Sequence, residues 1–300
     1  MNKRSRNTNW QRFNSGSLDR EANFMEMKNY SRSWPMLRAQ GMAGAILLVA
    51  TGCASAPGPK AIAQMEHVHS VAADGGNFYL ASHHGIYKWS DEGWNLIGEE
   101  FDAMGLTIDK GVFYASGHPG PGQDFPNPLG ILESRDNGDT WTPKSLTGEV
   151  DFHLLEVSGD SLVGVAANYG VVVGSQDGAV TWSNIATPSL TSLSLNPNNG
   201  LQFLLTSEGF LYLTEDSGLS LTEITAPSGL TKVDWSDSGI ILATDSTIYR
   251  SPELGMPFLE MSGSFTGIRD VAASGVSIIV LDEQGAYVST DNGKVFSLLP

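Results

Sequence analysis

From residue 67 onward the chain is a succession of short segments in which apolar and polar residues alternate. Each is bounded by clusters of Gly, Asn, Asp and Ser. Alternation with a period of two marks strands that bury one face, and the clusters mark turns. Segments 67–73, 77–83, 85–90 and 94–98 form one group of four, and 102–108, 111–117, 129–134 and 140–146 a second. Further groups open near Phe152, Leu190, Leu230 and Ile268.

One motif returns between the third and fourth segments. It reads Ser-Arg-Asp-Asn-Gly-Asp-Thr-Trp at 134–141, Ser-Gln-Asp-Gly-Ala-Val-Thr-Trp at 175–182, Thr-Glu-Asp-Ser-Gly-Leu-Ser-Leu at 214–221 and Ser-Thr-Asp-Asn-Gly-Lys-Val-Phe at 289–296. A weaker copy lies at 251–258 and a shortened one at 90–94. The acidic positions Asp91, Asp136, Asp177, Asp216, Glu253 and Asp291 are spaced by 45, 41, 39, 37 and 38 residues. A period near 40 made only of strands predicts propeller blades, and residues 67–300 divide into six of 39. The predicted fold is all-β, a six-bladed β-propeller of four-stranded antiparallel blades. The sixth blade carries its own fourth strand. Either side-chain packing alone closes the ring, or the strand phase is shifted by one.

The motif S-x-D-x-G-x-T-W resembles the Asp-box, or BNR repeat, of sialidase-like propellers. In that reading Asp136, Asp177, Asp216 and Asp291 accept backbone N–H groups inside a hairpin turn, Gly supplies positive φ, and the aromatic packs on the blade. The box is a fold device and implies no catalysis. Ala179 stands where Gly is expected, and the neighbouring Gly178 is expected to take the turn conformation.

The first 66 residues differ from the rest. Residues 42–50, Met-Ala-Gly-Ala-Ile-Leu-Leu-Val-Ala, form an apolar run too short for a mature bilayer span, which needs about 20 residues. Its length suits a signal peptide, with Lys28, Arg32 and Arg38 as the basic region before it. The following Thr51-Gly52-Cys53 completes a stretch resembling a bacterial lipobox, which implies lipidation of Cys53, a membrane anchor and export to the cell envelope. Residues 1–52 are therefore read as a signal region with an over-extended start, 53–66 as a lipidated flexible tether, and 67–300 as the propeller. Cys53 is the single cysteine, which excludes a disulfide. Residues 1–52 carry 8 Lys and Arg against 3 Asp and Glu, whereas the remainder carries 9 against 30. So acidic a body excludes nucleic acid as a partner.

All six histidines, His67, His69, His83, His84, His118 and His153, fall in the first three blades. They lie at starts of first strands or ends of second strands, which share one rim of an up-and-down blade. A Pro- and Gly-rich insertion at 117–130 lengthens the loop at the same rim. His67, His69, His84, His118 and His153 are candidate metal ligands, with zinc or copper as fitting ions. His84 is preferred to His83 because the two point to opposite sides and His84 is nearer the loop. The pattern from His67 through His84-Gly85, Gly117-His118-Pro119 and Asp151-Phe152-His153 also resembles a group of exported Asp-box proteins named glycosylhydrolase-like.

Three functions stay open: a membrane-tethered binding or assembly module, a glycan hydrolase and a metal-handling lipoprotein. The partner would be an envelope protein, a glycan or a metal ion. Asp102, Asp124 and Asp151 are the candidate catalytic carboxylates on the histidine rim. A sialidase is not expected, because Arg135, Arg250 and Arg269 are the only arginines of the propeller and cannot converge.

Overall fold

The computed structural model describes residues 58–300. Cys53 and the proposed signal region lie outside the described residues. Blade 1 comprises β1 (Val68–Asp74), β2 (Asn77–Ser82), β3 (Gly85–Ser90) and β4 (Gly93–Ile97). Blade 2 comprises β5 (Phe101–Asp109), β6 (Val112–Pro119), β7 (Ile131–Ser134) and β8 (Thr142–Ser145). Blade 3 follows with β9 (Phe152–Ser158), β10 (Ser161–Ala166), β11 (Val171–Ser175) and β12 (Ser183–Ile185). Blade 4 holds β13 (Ser192–Asn196), β14 (Asn199–Ser207), β15 (Phe210–Thr214) and β16 (Thr222–Ile224). Blade 5 holds β17 (Lys232–Ser236), β18 (Gly239–Ala243), β19 (Ile248–Ser251) and β20 (Leu259–Glu260). Blade 6 ends the chain with β21 (Asp270–Ser274), β22 (Ser277–Leu281), β23 (Ala286–Ser289) and β24 (Ser297–Leu299). Each blade is one antiparallel sheet in simple sequence order, so the molecule is a six-bladed β-propeller. The first strands pack on one another in a ring, β1 against β5 and β21, and enclose a central channel.

Alternation supplies the core. Every blade buries both faces against its neighbours, and the apolar side chains collect into six clusters at the six seams. Between blades 1 and 2 the buried Tyr79 ring meets Phe113 edge to face at 5.0 Å. The blade 6–blade 1 seam is built in the same way, from Ile279, Leu281 and Ala286 against Val71, Leu80 and Trp94.

Among the described residues, no strand is exchanged to close the ring. The closing seam is instead reinforced from two sides. On the channel side the Val71 N–H donates to Asp270 Oδ2 at 2.9 Å. On the outside, residues assigned to a flexible tether lie on the propeller. Lys60 and Trp94 exchange backbone hydrogen bonds of 2.9 and 3.0 Å, and the Ile62 N–H reaches the Pro300 carbonyl at 3.4 Å. Ile62 and Met65 pack on the seam cluster. Residues from Lys60 onward thus contact the propeller.

The acidic turns join third to fourth strands as predicted. Asp136 Oδ1 accepts the Thr140 N–H at 2.9 Å and Oδ2 accepts the Thr140 hydroxyl at 2.6 Å, while Ser134 Oγ accepts the Gly138 N–H at 2.9 Å. Equivalent bonds tie Asp177 to Thr181, Asp216 to Ser220 and Asp291 to Val295. Both residues after each acid adopt positive φ, as in Asn137 at 61° and Gly138 at 92°. In the second turn Gly178 occupies the first of these positions, and Ala179 itself occupies the glycine position at 73°. Gly178 thus takes the positive-φ turn conformation as expected, and Ala179 takes one too, its N–H donating to Ser175 Oγ at 3.0 Å. In blade 5 the Ser251 hydroxyl bonds to the Glu253 carbonyl at 2.7 Å.

Candidate functional site

In an up-and-down blade, starts of first strands and ends of second strands share a rim, opposite the acidic turns. His67, His69, His83, His84, His118 and His153 all stand on that rim. They do not form one constellation. The structure sorts five of them into two and sets His84 apart.

The first lies where blade 1 meets blade 2. Ser82 pairs with Gly85, so His83 and His84 form a two-residue hairpin loop. The His83 N–H donates to the His67 carbonyl at 3.4 Å, which folds this loop back over the start of β1. His67 has φ of 44°, and the β1–β2 register shifts between Val68 and Ser70, at His69. These two irregularities turn both imidazoles toward His83, with ring centroids 5.0 Å away for His67 and 4.7 Å for His69. Asp102, at the start of β5, completes the group. Its Oδ1 accepts the His83 Nδ1–H at 2.7 Å and lies 3.7 Å from His69 Nε2. That nitrogen is buried and has no hydrogen-bond partner among the described residues. Burial, reinforced by His83, holds the His69 pKa below the ordinary imidazole range, although Asp102 opposes the effect.

His83 thus takes the place expected for His84. The two-residue turn points His84 outward instead, where its Nε2 stands 3.8 Å from the exposed Glu66. Parity along β2 cannot decide this, because neither residue belongs to a strand.

The second constellation lies between blades 2 and 3. The Pro-rich insertion returns Asn127 to the end of β6, where Asn127 Oδ1 accepts the His118 Nδ1–H at 2.7 Å. That bond leaves His118 Nε2 facing Asp151, 3.7 Å from Oδ2. His153 Nε2 approaches the same oxygen at 3.0 Å. Asp151 Oδ1 is buried without a partner among the described residues. Of the three carboxylates singled out, Asp102 and Asp151 are thus held among imidazoles, while Asp124 is exposed on the insertion.

The two constellations are neighbours across a single strand pair, because Asp102 and His118 are cross-strand partners in β5 and β6. Gly117 permits this approach. A Cβ there would lie 1.8 Å from the Asp102 carbonyl oxygen, and φ is 154°. Between His69 and His153 the channel opens, lined below by Ser70, Glu156, Lys232, Asp234 and Asp270.

The channel acids escape a reading focused on histidines, though their alternate positions on first strands point them inward. Asp234 Oδ2 accepts the Ala273 N–H at 3.0 Å, repeating across the next seam the bond between Asp270 and Val71. Burial pushes Asp234 up to about 7 and raises Asp270, on which Lys232 acts in opposition. Glu156 is raised well above the carboxylate range by burial and by Asp234 and Asp270.

The arginines serve the blades separately. Arg135 pairs with Glu133 at 2.6 Å, Arg250 donates to the Ser238 carbonyl and Arg269 to the Asp282 carbonyl, both at 2.6 Å.

No protein-family model matches the chain, and no curated protein matches it at a significant level. Solved structures do match. The WD40 propeller domain of Doa1 is 14% identical with a TM-score of 0.52, the match covering 82% of this chain and 86% of that one. The extracellular domain of BT4673 from B. thetaiotaomicron is 14% identical with a TM-score of 0.51, covering 81% of this chain and 34% of that one. PorZ, a bacterial surface component of the type-IX secretion system of Porphyromonas gingivalis, is 11% identical with a TM-score of 0.49, covering 79% and 38%. The chain thus spans well under half the length of the last two. The likenesses to Doa1 and BT4673 support the propeller fold and say nothing about a ligand.

Proposed function

We propose that the protein is an exported binding module, tethered to the envelope membrane through a lipid on Cys53, whose ligand is engaged at the histidine rim of blades 1–3. One observation carries the reading. Asp102 and Asp151, each set among imidazoles from different loops, flank one strand pair on the same rim, and beside them His69 Nε2 and Asp151 Oδ1 are buried with no partner among the described residues. Buried polar atoms are normally paired, and those that are not cluster where a protein meets something else. Conversion of a glycan has less support, because both carboxylates are engaged by imidazoles and Asp124 stands apart on its loop.

Cross-linking the full chain in intact cells tests the reading. A cross-linked species lost in both His83→Ala/Asp102→Asn and His118→Ala/Asp151→Asn, but kept in Leu219→Ser on the opposite rim, supports it. A profile indifferent to both rim pairs sinks it. Loss of fatty-acid incorporation in Cys53→Ala tests the tether.

A further inference from the structure

We infer that His69, His83 and Asp102 form a binding site for one divalent transition-metal ion, zinc foremost. The inference rests on the rim reading for its location and adds what the blade 1–blade 2 constellation holds.

The argument begins with atoms. One ligand atom from each of the three residues can be chosen so that all lie within 4.8 Å of one another. Two imidazole nitrogens address the same carboxylate oxygen, His83 Nδ1 at 2.7 Å and His69 Nε2 at 3.7 Å. The shorter distance is a hydrogen bond. The longer is not, being beyond the reach of N–H to O. His69 Nε2 is nonetheless buried, with no other partner among the described residues. A single cation bound by all three residues gives that nitrogen a partner, and small side-chain rotations bring the donors to the roughly 2.0–2.2 Å of zinc–nitrogen and zinc–oxygen bonds.

The donor set selects the ion. Two imidazoles and one carboxylate suit zinc, copper or nickel, whereas calcium and magnesium take oxygen. Three protein ligands also leave a coordination position for an external group. His67, whose ring lies 5.0 Å from that of His83, is the nearest further imidazole. His83 need lose no net proton. Moving its hydrogen from Nδ1 to Nε2 is a change of tautomer that frees the Nδ1 lone pair.

The backbone supports the arrangement. The left-handed conformation of His67 and the register shift at His69 gather these imidazoles, and β5 and β9 carry comparable shifts at the same rim. Irregular positions of this kind concentrate at functional sites. His84, bound up with Glu66, and His118, oriented by Asn127, lie outside the ligand set.

The test uses the full chain, purified without a polyhistidine tag and stripped with chelator. Cobalt(II) is titrated while its visible absorption is followed, and zinc is then added in competition. One equivalent of cobalt should develop d–d bands that zinc abolishes. His69→Ala and His83→Ala should each lose the bands. Asp102→Asn, which still accepts the His83 hydrogen bond, should weaken zinc binding at least about tenfold. His84→Ala and His118→Ala should bind as wild type. If an alanine variant fails to fold by circular dichroism, Asp102→Asn decides. No uptake by wild-type protein at micromolar metal overturns the inference, as does undiminished uptake by Asp102→Asn or uptake that depends on His118. The two readings fail separately. A rim-dependent cross-link without metal uptake removes the metal alone, and metal uptake without a rim-dependent cross-link removes the binding partner alone.

Discussion

His83 Nδ1 lies 2.7 Å from Asp102 Oδ1, so a hairpin loop of one blade is bonded to the innermost strand of the next. Nothing local in either segment requires the pair. It exists because closing the ring sets β1 beside β5 at the angle that brings the β2–β3 loop over the start of β5.

That arrangement depends on Gly117. A methyl group there would lie 1.8 Å from the Asp102 carbonyl, against backbone that cannot move without disturbing the β5–β6 pairing. Gly117→Ala should cost about 2 kcal/mol or more in urea unfolding. Gly111→Ala, where φ is 78° and nothing lies within 4 Å, should cost about 1 kcal/mol. Equal losses would show that backbone conformation alone matters at 117.

The acidic turns give the protein an acid limit. Backbone and hydroxyl donors from Thr181 hold Asp177 at about 2, below its value near 4 in an unfolded chain. The folded state therefore resists protonation. The contribution is present above pH 4 and is lost as pH falls toward 2. Asp177→Asn should lower the urea midpoint at pH 6 and flatten part of its decline between pH 4 and 2. A parallel decline in both proteins would contradict this account.

Asp234 acts in the opposite sense. Its carboxyl is pushed up to about 7, so between pH 4 and 7 the folded state binds a proton the unfolded chain releases. Its contribution is complete below pH 4 and disappears as pH rises through 7. Asp234→Asn keeps an acceptor for the Ala273 N–H and should make the protein less pH-sensitive over that range, with the relative gain greatest at pH 8. Thermal melts at pH 5 and 8 measure it, and a loss as large at pH 8 as at pH 5 would rule it out.

The segment before β1 should be structural. Ile62 packs on the closing seam and its N–H meets the last carbonyl. Ile62→Ala should cost about 1 kcal/mol by removing partly buried methyl and methylene groups. Exchange of the Trp94 amide, bonded to Lys60, should quicken. Unchanged protection at Trp94 would mean the segment only rests on the surface.

Most of the fold was readable because a propeller repeats its instructions. The acid at Asp136, Asp177, Asp216 and Asp291 marks the same turn four times, and alternation between the marks fixes which side of each strand enters a seam. The site was readable only to the level of a rim. Position at strand ends places His69 and Asp102 on the rim, but His83 and His84 sit in a turn where parity has no meaning, and the outcome depends on the left-handed His67 and the shift at His69. Asn127 is hidden for a related reason. It lies nine residues from His118, and only the path of the insertion brings them together. The channel acids were visible as alternating positions on first strands, but nothing in one strand announces that it faces five others.

The meeting of Ile62 with Pro300 means that the barrel of blades has one topological joint and five uninterrupted ones. A short peptide linking those two residues, with new ends cut at an exposed turn such as the one around Leu219, would give a circularly permuted protein whose seams are all native. The permutant would move the break far from the imidazoles, and so separate what the rim does by itself from what it owes to lying beside the joint.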